Sequence, residues 1–177
     1  MRVGNERTKA FEDLLQRYVP ALKRLARSYA REPAEQDDLL QEIALGLWTA
    51  LPNFRGEASE RTWMYRVAHN TAISFVTSRN RRSQREQNGA IPDLPTLESG
   101  AESTVIEDQQ RARLWAAVEE LPLTDRQIVV LHFEGLSAAE IEVVTGLSAG
   151  NVATRLSRAR QKLVARVRGE KNEPNAG

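Results

Sequence analysis

The chain has 177 residues, 41% of them hydrophobic, and this suits one larger domain or two small ones with real hydrophobic cores. It has no cysteine and only two histidines, His69 and His132, which excludes disulfides and thiolate chemistry and leaves no ligand spacing for a metal, so no cofactor is expected. The amino terminus lacks an apolar signal core, and no apolar run approaches the roughly 20 residues that span a bilayer, which predicts a soluble protein inside the cell.

The amino-terminal half reads as helices throughout. Residues 11–29 keep an apolar stripe at helical spacing over several turns, and Pro20 inside this stripe should kink or divide the helix. Pro33 breaks the pattern, and a second helix is expected over about 35–51. A third helix is predicted over about 59–82. Together these three segments predict a small helical bundle.

Charge is arranged in blocks along the chain. Residues 61–85 hold six arginines and no acid, whereas residues 86–110 hold six acids and no base. Residues 84–104, with two prolines, two glycines and few large apolar side chains, are expected to form a flexible linker. A helix resumes near Val105. Two basic blocks around an acidic one indicate two nucleic-acid contacts joined by a tether that does not bind DNA.

The carboxy-terminal half has the pattern of a helix-turn-helix. Thr124 with Gln127, and Ser137 with Glu140, have the spacing of capping boxes and therefore predict two helix starts. Gly146 permits a sharp turn before the last helix. The expected buried stripe of that helix is Val152, Leu156, Ala159, Leu163 and Val167.

The last helix is expected to bind DNA. Residues 148–168 hold six basic residues and no acid, although the whole chain is nearly balanced at 25 Lys+Arg and 24 Asp+Glu. Small polar side chains, Asn151, Thr154 and Ser157, lie on the outward face near the helix start, where base edges are read. The plain alternative is a solvated basic face on a helical hairpin that binds nothing.

Several strings, taken in their order and spacing, resemble those of bacterial sigma factors of the extracytoplasmic-function group, which have only regions two and four. No single string is decisive. In the amino-terminal half the strings are Asp38-Leu39-Leu40-Gln41-Glu42, Phe54-Arg55-Gly56 and Thr62-Trp63-Met64-Tyr65-Arg66-Val67-Ala68-His69-Asn70. In the carboxy-terminal half they are Leu121-Pro122, Arg126-Gln127-Ile128-Val129-Val130-Leu131, Glu134-Gly135-Leu136-Ser137, Glu140-Ile141, Gly150-Asn151-Val152 and Arg155-Leu156-Ser157-Arg158-Ala159-Arg160.

The resemblance implies an all-α protein of two small helical domains and a dissociable subunit that directs core RNA polymerase to promoters. The implied layout is region two over 1–83, a linker over 84–104, region four over 105–171 and a disordered tail over 172–177. The implied partners are the clamp helices of the largest polymerase subunit, the flap of the second-largest subunit, promoter DNA and an anti-sigma factor. A cytoplasmic location in bacteria and the absence of enzymatic activity follow from the same resemblance.

The resemblance also assigns roles to individual residues. Those implied to bind core polymerase are Asp38, Gln41 and Glu42; a polar, solvated helix face is their plain alternative. Those implied to bind the minus-ten element, where the family captures a flipped base, are Phe54, Arg55, Gly56, Trp63, Arg66, Asn70, Arg79, Arg81 and Arg82. Those implied to contact the minus-thirty-five element are Asn151, Ala153, Thr154, Arg155, Ser157, Arg158, Arg160 and Lys162.

Three positions depart from the family pattern. Glu60 stands where an aromatic residue often precedes the Thr-Trp pair, which puts the shape of the minus-ten loop in doubt. Glu142 replaces a small residue on the first helix of the motif, so its side chain must turn outward or widen the helix crossing. Ala153 lacks the basic side chain that is common at its position.

Two other classes of function compete with this reading. A free-standing helix-turn-helix regulator would use the amino-terminal helices for dimerisation or ligand binding and would need paired half-sites. The two basic blocks of this chain lie on different predicted domains, which suits one asymmetric DNA better. An enzyme would need a catalytic cluster, and the neighbouring Asp37 and Asp38 point in different directions on a helix and have no partner cluster.

Overall fold

The computed structural model describes residues 2–86 and 105–167, and within these ranges it is built from α-helices without a β-strand, which confirms the all-α prediction. Side chains are described for residues 6–81 and 109–167. The helices are α1 (Arg2–Tyr29), α2 (Pro33–Ala50), α3 (Glu60–Glu86), α4 (Val105–Glu119), α5 (Leu123–Phe133), α6 (Ala138–Thr145) and α7 (Ala149–Val167), and a short 3-10 turn spans Leu51–Asn53. No helix in the described part of the chain is long and apolar enough to cross a membrane.

Helices α1, α2 and α3 pack together around the apolar stripes that their sequences predict. The side chains that close this core are fully or almost fully buried: Leu22, Leu25, Leu39, Ile43, Leu47, Met64 and Ala68. The expected division of α1 at Pro20 is wrong, because the helix continues through it to Tyr29. The ring of Pro20 is exposed, and packing of α1 on its neighbours holds the helix together although one backbone hydrogen bond is missing.

Two helix boundaries differ from the expected ones. Pro33 does not precede α2 but is its first residue, a position where the missing N–H has no helical partner to lose. Helix α3 extends to Glu86 and so includes the first three residues of the expected linker; residues 87–104 of that linker lie outside the described residues. The expected tail over 172–177 lies outside them too.

The carboxy-terminal half contains the expected helix-turn-helix in α5, α6 and α7. Ser137 caps α6 in a complete capping box with Glu140, as predicted. The cap predicted at Thr124 is wrong: Pro122, with extended backbone, occupies the cap position and α5 begins at Leu123. Gly146 ends α6 at φ +76°, in the left-handed region that favours glycine.

Helix α7 buries most of its predicted stripe. Val152, Ala159 and Leu163 are buried, and Leu156 is half-buried. Val167, which was expected in the core, is 48% exposed. Glu142 turns outward, as one of the two expected alternatives required, and its Oε2 accepts a hydrogen bond from the backbone N–H of Ala149 at 3.0 Å. The acid therefore caps the start of α7.

The two halves pack against each other. Helix α5 contacts α1, and α6 contacts α3, so that one continuous hydrophobic core runs from Leu14 to Leu163. All six residues of α5 from 126 to 131 are buried in succession, which is the burial pattern of a helix enclosed on every side. The run of apolar residues in α5 is thus explained by packing on α1 as well as on α7.

Candidate nucleic-acid interface

A pocket of about 370 Å³ lies between the loop that follows α2 and the start of α3. Its floor is an aromatic pair, Phe54 and Trp63, whose ring centroids are 4.9 Å apart at an interplanar angle of 37°. The lining residues are Asn53, Phe54, Arg55, Glu57, Ala58, Trp63, Arg66 and Val143. Four residues predicted to bind the minus-ten element, Phe54, Arg55, Trp63 and Arg66, are thereby brought to one place. Aromatic faces beside guanidinium groups can stack a base and hold its phosphate.

Local hydrogen bonds shape the loop that forms this pocket. The N–H of Phe54 donates to the carbonyl of Leu51 at 3.2 Å, and Gly56 adopts φ +75°, which lets the chain turn back toward α3. Ser59 then caps α3, because its Oγ accepts the N–H of Thr62 at 3.0 Å. Glu60 forms an ion pair at 2.5 Å with Arg17 of α1. Glu60, which stands where the family often has an aromatic residue, therefore links α3 to α1, and the loop still forms the pocket.

The remaining residues of the predicted minus-ten set lie along α3. Arg66 and Asn70 are exposed one helical turn apart, but Asn70 is not among the described residues that line the pocket. Arg79 forms an ion pair with Glu35 of α2, and Arg81 is exposed. Arg82 lies in α3, but the structure does not describe its side chain. Arg79 and Arg81 thus lie further along α3, away from the pocket.

A buried polar pair links α3 to α1. His69 is 7% exposed and Tyr29 is 5% exposed, and the Tyr29 hydroxyl is hydrogen-bonded to Nδ1 of His69. Burial lowers the pKa of His69 and raises the pKa of Tyr29, so both groups are neutral at pH 7. Both residues lie beside the segment predicted to bind the minus-ten element, and the sequence assigned no role to either of them. The signal that could have found the pair is the coincidence of Tyr29 and His69 on the inward faces of two helices.

The outward face of α7 is open. Of the side chains predicted to contact the minus-thirty-five element, Arg155 is half-buried. The others are exposed: Asn151, Ala153, Thr154, Ser157, Arg158, Arg160 and Lys162. Arg155 is held by Asp125 of α5, with 2.6 Å between its guanidinium nitrogen and Oδ1, and its Nε donates to Oδ1 of Asn151 at 3.0 Å. These contacts fix Arg155 and Asn151 relative to the rest of the helix-turn-helix.

A further exposed surface lies on α2, on the side of the helix opposite its buried residues. Asp38, Gln41 and Glu42 are all exposed, as predicted for a docking face. One turn further on, Leu45 is 59% exposed, which makes it the most exposed large hydrophobic side chain of the described residues. Leu45 was missed by sequence reasoning because the helix has a sufficient inward stripe without it.

The described residues contain no group of histidine and carboxylate side chains that could hold a metal ion. The side chains of the pocket and of the outward face of α7 are suited to bind a partner by hydrogen bonding, charge and stacking.

Residues 14–82 match the family described as Sigma-70 region 2, and residues 111–163 match the family described as Sigma-70, region 4. The pocket and the exposed face of α2 fall in the first match, and the exposed face of α7 falls largely in the second.

Two curated proteins resemble the chain over nearly their full length. It is 30% identical over 175 residues to the ECF RNA polymerase sigma-E factor of Escherichia coli K12, with 94% of this chain and 91% of that protein covered. It is 29% identical over 174 residues to the RNA polymerase sigma-H factor of Pseudomonas aeruginosa PAO1, with 92% of this chain and 88% of that protein covered.

Solved structures share the fold across both halves. The sigma factor RpoE of Bartonella quintana, solved in complex with the anti-sigma factor NepR, gives a TM-score of 0.74 at 21% identity and covers 92% of this chain and 99% of its own. The structure of CnrH in complex with the cytosolic domain of CnrY gives a TM-score of 0.64 at 27% identity and covers 93% of this chain and 91% of its own.

Proposed function

The chain belongs to the extracytoplasmic-function (ECF) sigma factors of the sigma-70 family, and from this membership we propose which of its surfaces carry out promoter-specific initiation. Sigma factors are not enzymes: they bind core RNA polymerase, direct it to promoters and dissociate. The observation that carries the proposal is the presence of two exposed surfaces whose side chains suit DNA, the pocket at Trp63 and the outward face of α7, in the family's order on one chain.

The pocket at Phe54 and Trp63 receives a non-template base of the minus-ten element once the strands separate. Base stacking on aromatic rings contributes about 1–3 kcal/mol per base and needs only an exposed π-face. Arg55 and Arg66 border the pocket and are exposed, so they are placed to neutralise adjacent phosphates. Asn70 lies one turn beyond Arg66, outside the pocket lining, and reads a base edge next to it, while the arginines at the end of α3 hold the backbone.

The outward face of α7 reads the minus-thirty-five element in the major groove. Asn151, Thr154, Ser157 and Arg158 are exposed near the helix start, where a recognition helix meets base edges. Arg160 and Lys162 follow on the exposed side and contact the phosphate backbone. The pairing of Arg155 with Asp125 holds its guanidinium in one place, which lowers the entropy that the side chain loses on binding DNA.

Helix α2 docks on the clamp helices of the largest polymerase subunit. Asp38 and Glu42 are exposed one turn apart and suit a basic partner surface. Leu45 adds an apolar anchor on the same face, and a buried anchor surrounded by polar contacts is the usual centre of a strong interface. Region four binds the flap of the second-largest subunit.

An anti-sigma factor is a further proposed partner, since the solved relatives RpoE and CnrH were captured with NepR and with the cytosolic domain of CnrY. We place the protein in the bacterial cytoplasm, where its RNA polymerase acts. We divide it into region two over 1–83, a linker over 84–104, region four over 105–171 and a short tail over 172–177.

The docking assignment is tested by competition for core polymerase. The double variant Asp38→Ala, Glu42→Ala should bind core polymerase about tenfold more weakly than the wild type, because two charge-assisted contacts to a basic surface are removed. Glu12→Ala with Asp13→Ala, two exposed acids on α1 outside the docking face, is the matched control for lost negative charge. An unchanged association constant for the first variant would remove α2 from the docking interface.

A further inference from the structure

One acidic side chain lines the pocket at Phe54 and Trp63, although the ligand proposed for this pocket belongs to a polyanion. The acid is Glu57, which lies in the loop directly after Gly56 and is exposed. Because every phosphate of a DNA strand is negatively charged, a carboxylate at this place opposes binding unless it gains a partner. The ligand must therefore offer a group that the carboxylate can bind.

The protein itself does not neutralise Glu57 within the part of the chain whose side chains are described. There its carboxylate forms no ion pair and no hydrogen bond. The next acid along the chain, Glu60, is in the opposite situation, since it pairs with Arg17 of α1 at 2.5 Å. Glu57 thus remains available to whatever enters the pocket.

The other polar side chains of the pocket are mainly donors. Arg55 and Arg66 line it, are exposed and form no ion pair with another described side chain. A guanidinium only donates hydrogen bonds and a carboxylate only accepts them, whereas the amide of Asn53, also in the lining, does both. The pocket therefore presents one charged acceptor, Glu57, beside two charged donors.

The four bases differ in the donors and acceptors of the Watson–Crick edge, which a base turned out of the stack presents to its pocket. Cytosine has an amine donor at one end of this edge and two acceptors beside it, which complements one acceptor and two donors in the protein. Thymine has a keto oxygen in place of the amine, and this oxygen is repelled by a carboxylate. Guanine presents two donors with one acceptor, and adenine has one acceptor fewer than cytosine. A carboxylate that accepts from the amine of cytosine is an established mode of base reading.

We propose that Glu57 determines the specificity of the pocket by accepting a hydrogen bond from the exocyclic amine of a cytosine, and that it excludes thymine from the same place. The inference rests on the proposed function, because it takes the pocket to receive a non-template base. Phe54 and Trp63 can stack with any base and so contribute affinity without selecting one. Glu57 selects the base, in part by repelling the wrong one.

The test is binding of core polymerase that carries the full chain to pre-melted promoter fragments. The promoter is one whose start site appears only when the chain is added. Each minus-ten position of the unpaired non-template strand is in turn cytosine, uracil, adenine or guanine. At one position the wild type should bind the uracil fragment about tenfold more weakly than the cytosine fragment, because a charge-assisted hydrogen bond is replaced by an oxygen facing the carboxylate.

Glu57→Gln should reduce this preference to about twofold or less, because an amide accepts from an amine and also donates to a keto oxygen. It should also bind the uracil fragment more tightly than the wild type does, a gain that damage to the loop would not produce. Glu57→Asp keeps the carboxylate and should keep the direction of the preference. Glu12→Gln, at an exposed acid of α1 outside the pocket, is the matched control and should keep the wild-type ratio.

Equal ratios of cytosine to uracil binding for the wild type and Glu57→Gln at every position would overturn the inference. The sigma function would still stand if both proteins gave core polymerase its promoter preference. A preference for adenine or guanine that depends on Glu57 would overturn the assignment of cytosine. If the wild-type chain gave core polymerase no preference for any promoter, the sigma function and the inference would fail together.

Discussion

Phe54 and Trp63 are only half-buried, and they lie against each other in a pocket whose other residues are mostly polar; Trp63 also packs against the core. Two aromatic rings held in this way are costly to expose and are suited to stacking with a third ring. Arg66 on the next turn of α3 adds a positive charge, and Asn70 follows it as a group that both donates and accepts hydrogen bonds. The proposed recognition of an extruded base would thus depend on a few side chains of different chemistry.

Asn70→Ala should reduce promoter opening more than it reduces formation of the closed promoter complex. A side chain that reads an extruded base acts only after the strands separate, and its loss should cost about 1–3 kcal/mol of open complex. Permanganate footprinting measures the bubble, and gel retardation measures the initial complex. Ser74→Ala, one turn further on the same exposed face, is the control. A normal bubble in the Asn70 variant would show that it does not read a base.

His69 should make the stability of the amino-terminal bundle depend on pH. Its folded pKa lies below the ordinary value of 6.5 because it is buried, so the unfolded chain binds more protons as the pH falls below about 6.5. The contribution of neutral His69 is therefore complete above about pH 6.5 and is lost as the pH falls through the depressed folded pKa. His69→Gln should flatten the decrease in melting temperature between pH 7.5 and 5.5.

The exposed His132 provides the comparison for that experiment. His132→Gln makes the same chemical change at an exposed position and so controls for the substitution itself. If His69→Gln and the wild type lose stability in parallel on acidification, the buried imidazole is not the group responsible, and carboxylates on the surface must account for the loss.

Among the elements, we expect α7 to divide into a part that reads bases and a part that contacts phosphate. Arg158→Ala should relax discrimination at one minus-thirty-five position by about 1–3 kcal/mol, whereas Lys162→Ala should weaken binding to all sequences and reduce the salt slope by about one. Arg158 and Lys162 are both exposed and lie one turn apart, so each is the control for the other. The measurement is binding of the full chain with core polymerase to single-base variants at two salt concentrations.

Uniform loss of affinity in both variants would show that Arg158 contacts phosphate. In that case base reading must come from Asn151, Thr154 and Ser157, which lie nearer the start of the helix and remain exposed. The ion pair of Arg155 with Asp125 would then be the feature that fixes their register on the groove.

Local chemistry made most of these elements predictable from sequence. Ser137 and Glu140 form the expected box because both side chains reach orphan backbone groups at the start of α6. Thr124 and Gln127 have the same spacing but form none, since Pro122 starts the helix earlier and Gln127 is buried in the core. Spacing alone cannot separate the two cases, because burial of Gln127 is decided by helices that are distant in sequence.

The candidate site was predictable in its members but not in its surroundings. The strings around Phe54, Trp63 and Arg66 identify residues that the fold does bring to one pocket. Val143 lines the same pocket and Glu134 pairs with Arg24 of α1, but nothing in the sequence around either residue indicates contact with the amino-terminal half. Their contacts depend on how two helical bundles pack, which follows from the shape of whole surfaces and not from a periodic pattern.

At the scale of the whole molecule, two halves with separate DNA-binding surfaces share one boundary. The contacts of α5 with α1 and of α6 with α3 join these halves through one continuous hydrophobic core.

Transcription in vitro by purified core polymerase on fragmented bacterial genomic DNA shows directly whether the chain directs initiation to promoters. The RNA 5′ ends are mapped by sequencing. Addition of the purified chain should create a small set of defined start sites that share two sequence elements upstream, near minus ten and minus thirty-five. The Asp38→Ala, Glu42→Ala variant should reduce initiation at all of them, and core polymerase alone should show none. Start sites that are equally scattered with and without the chain would contradict its assignment as an initiation factor.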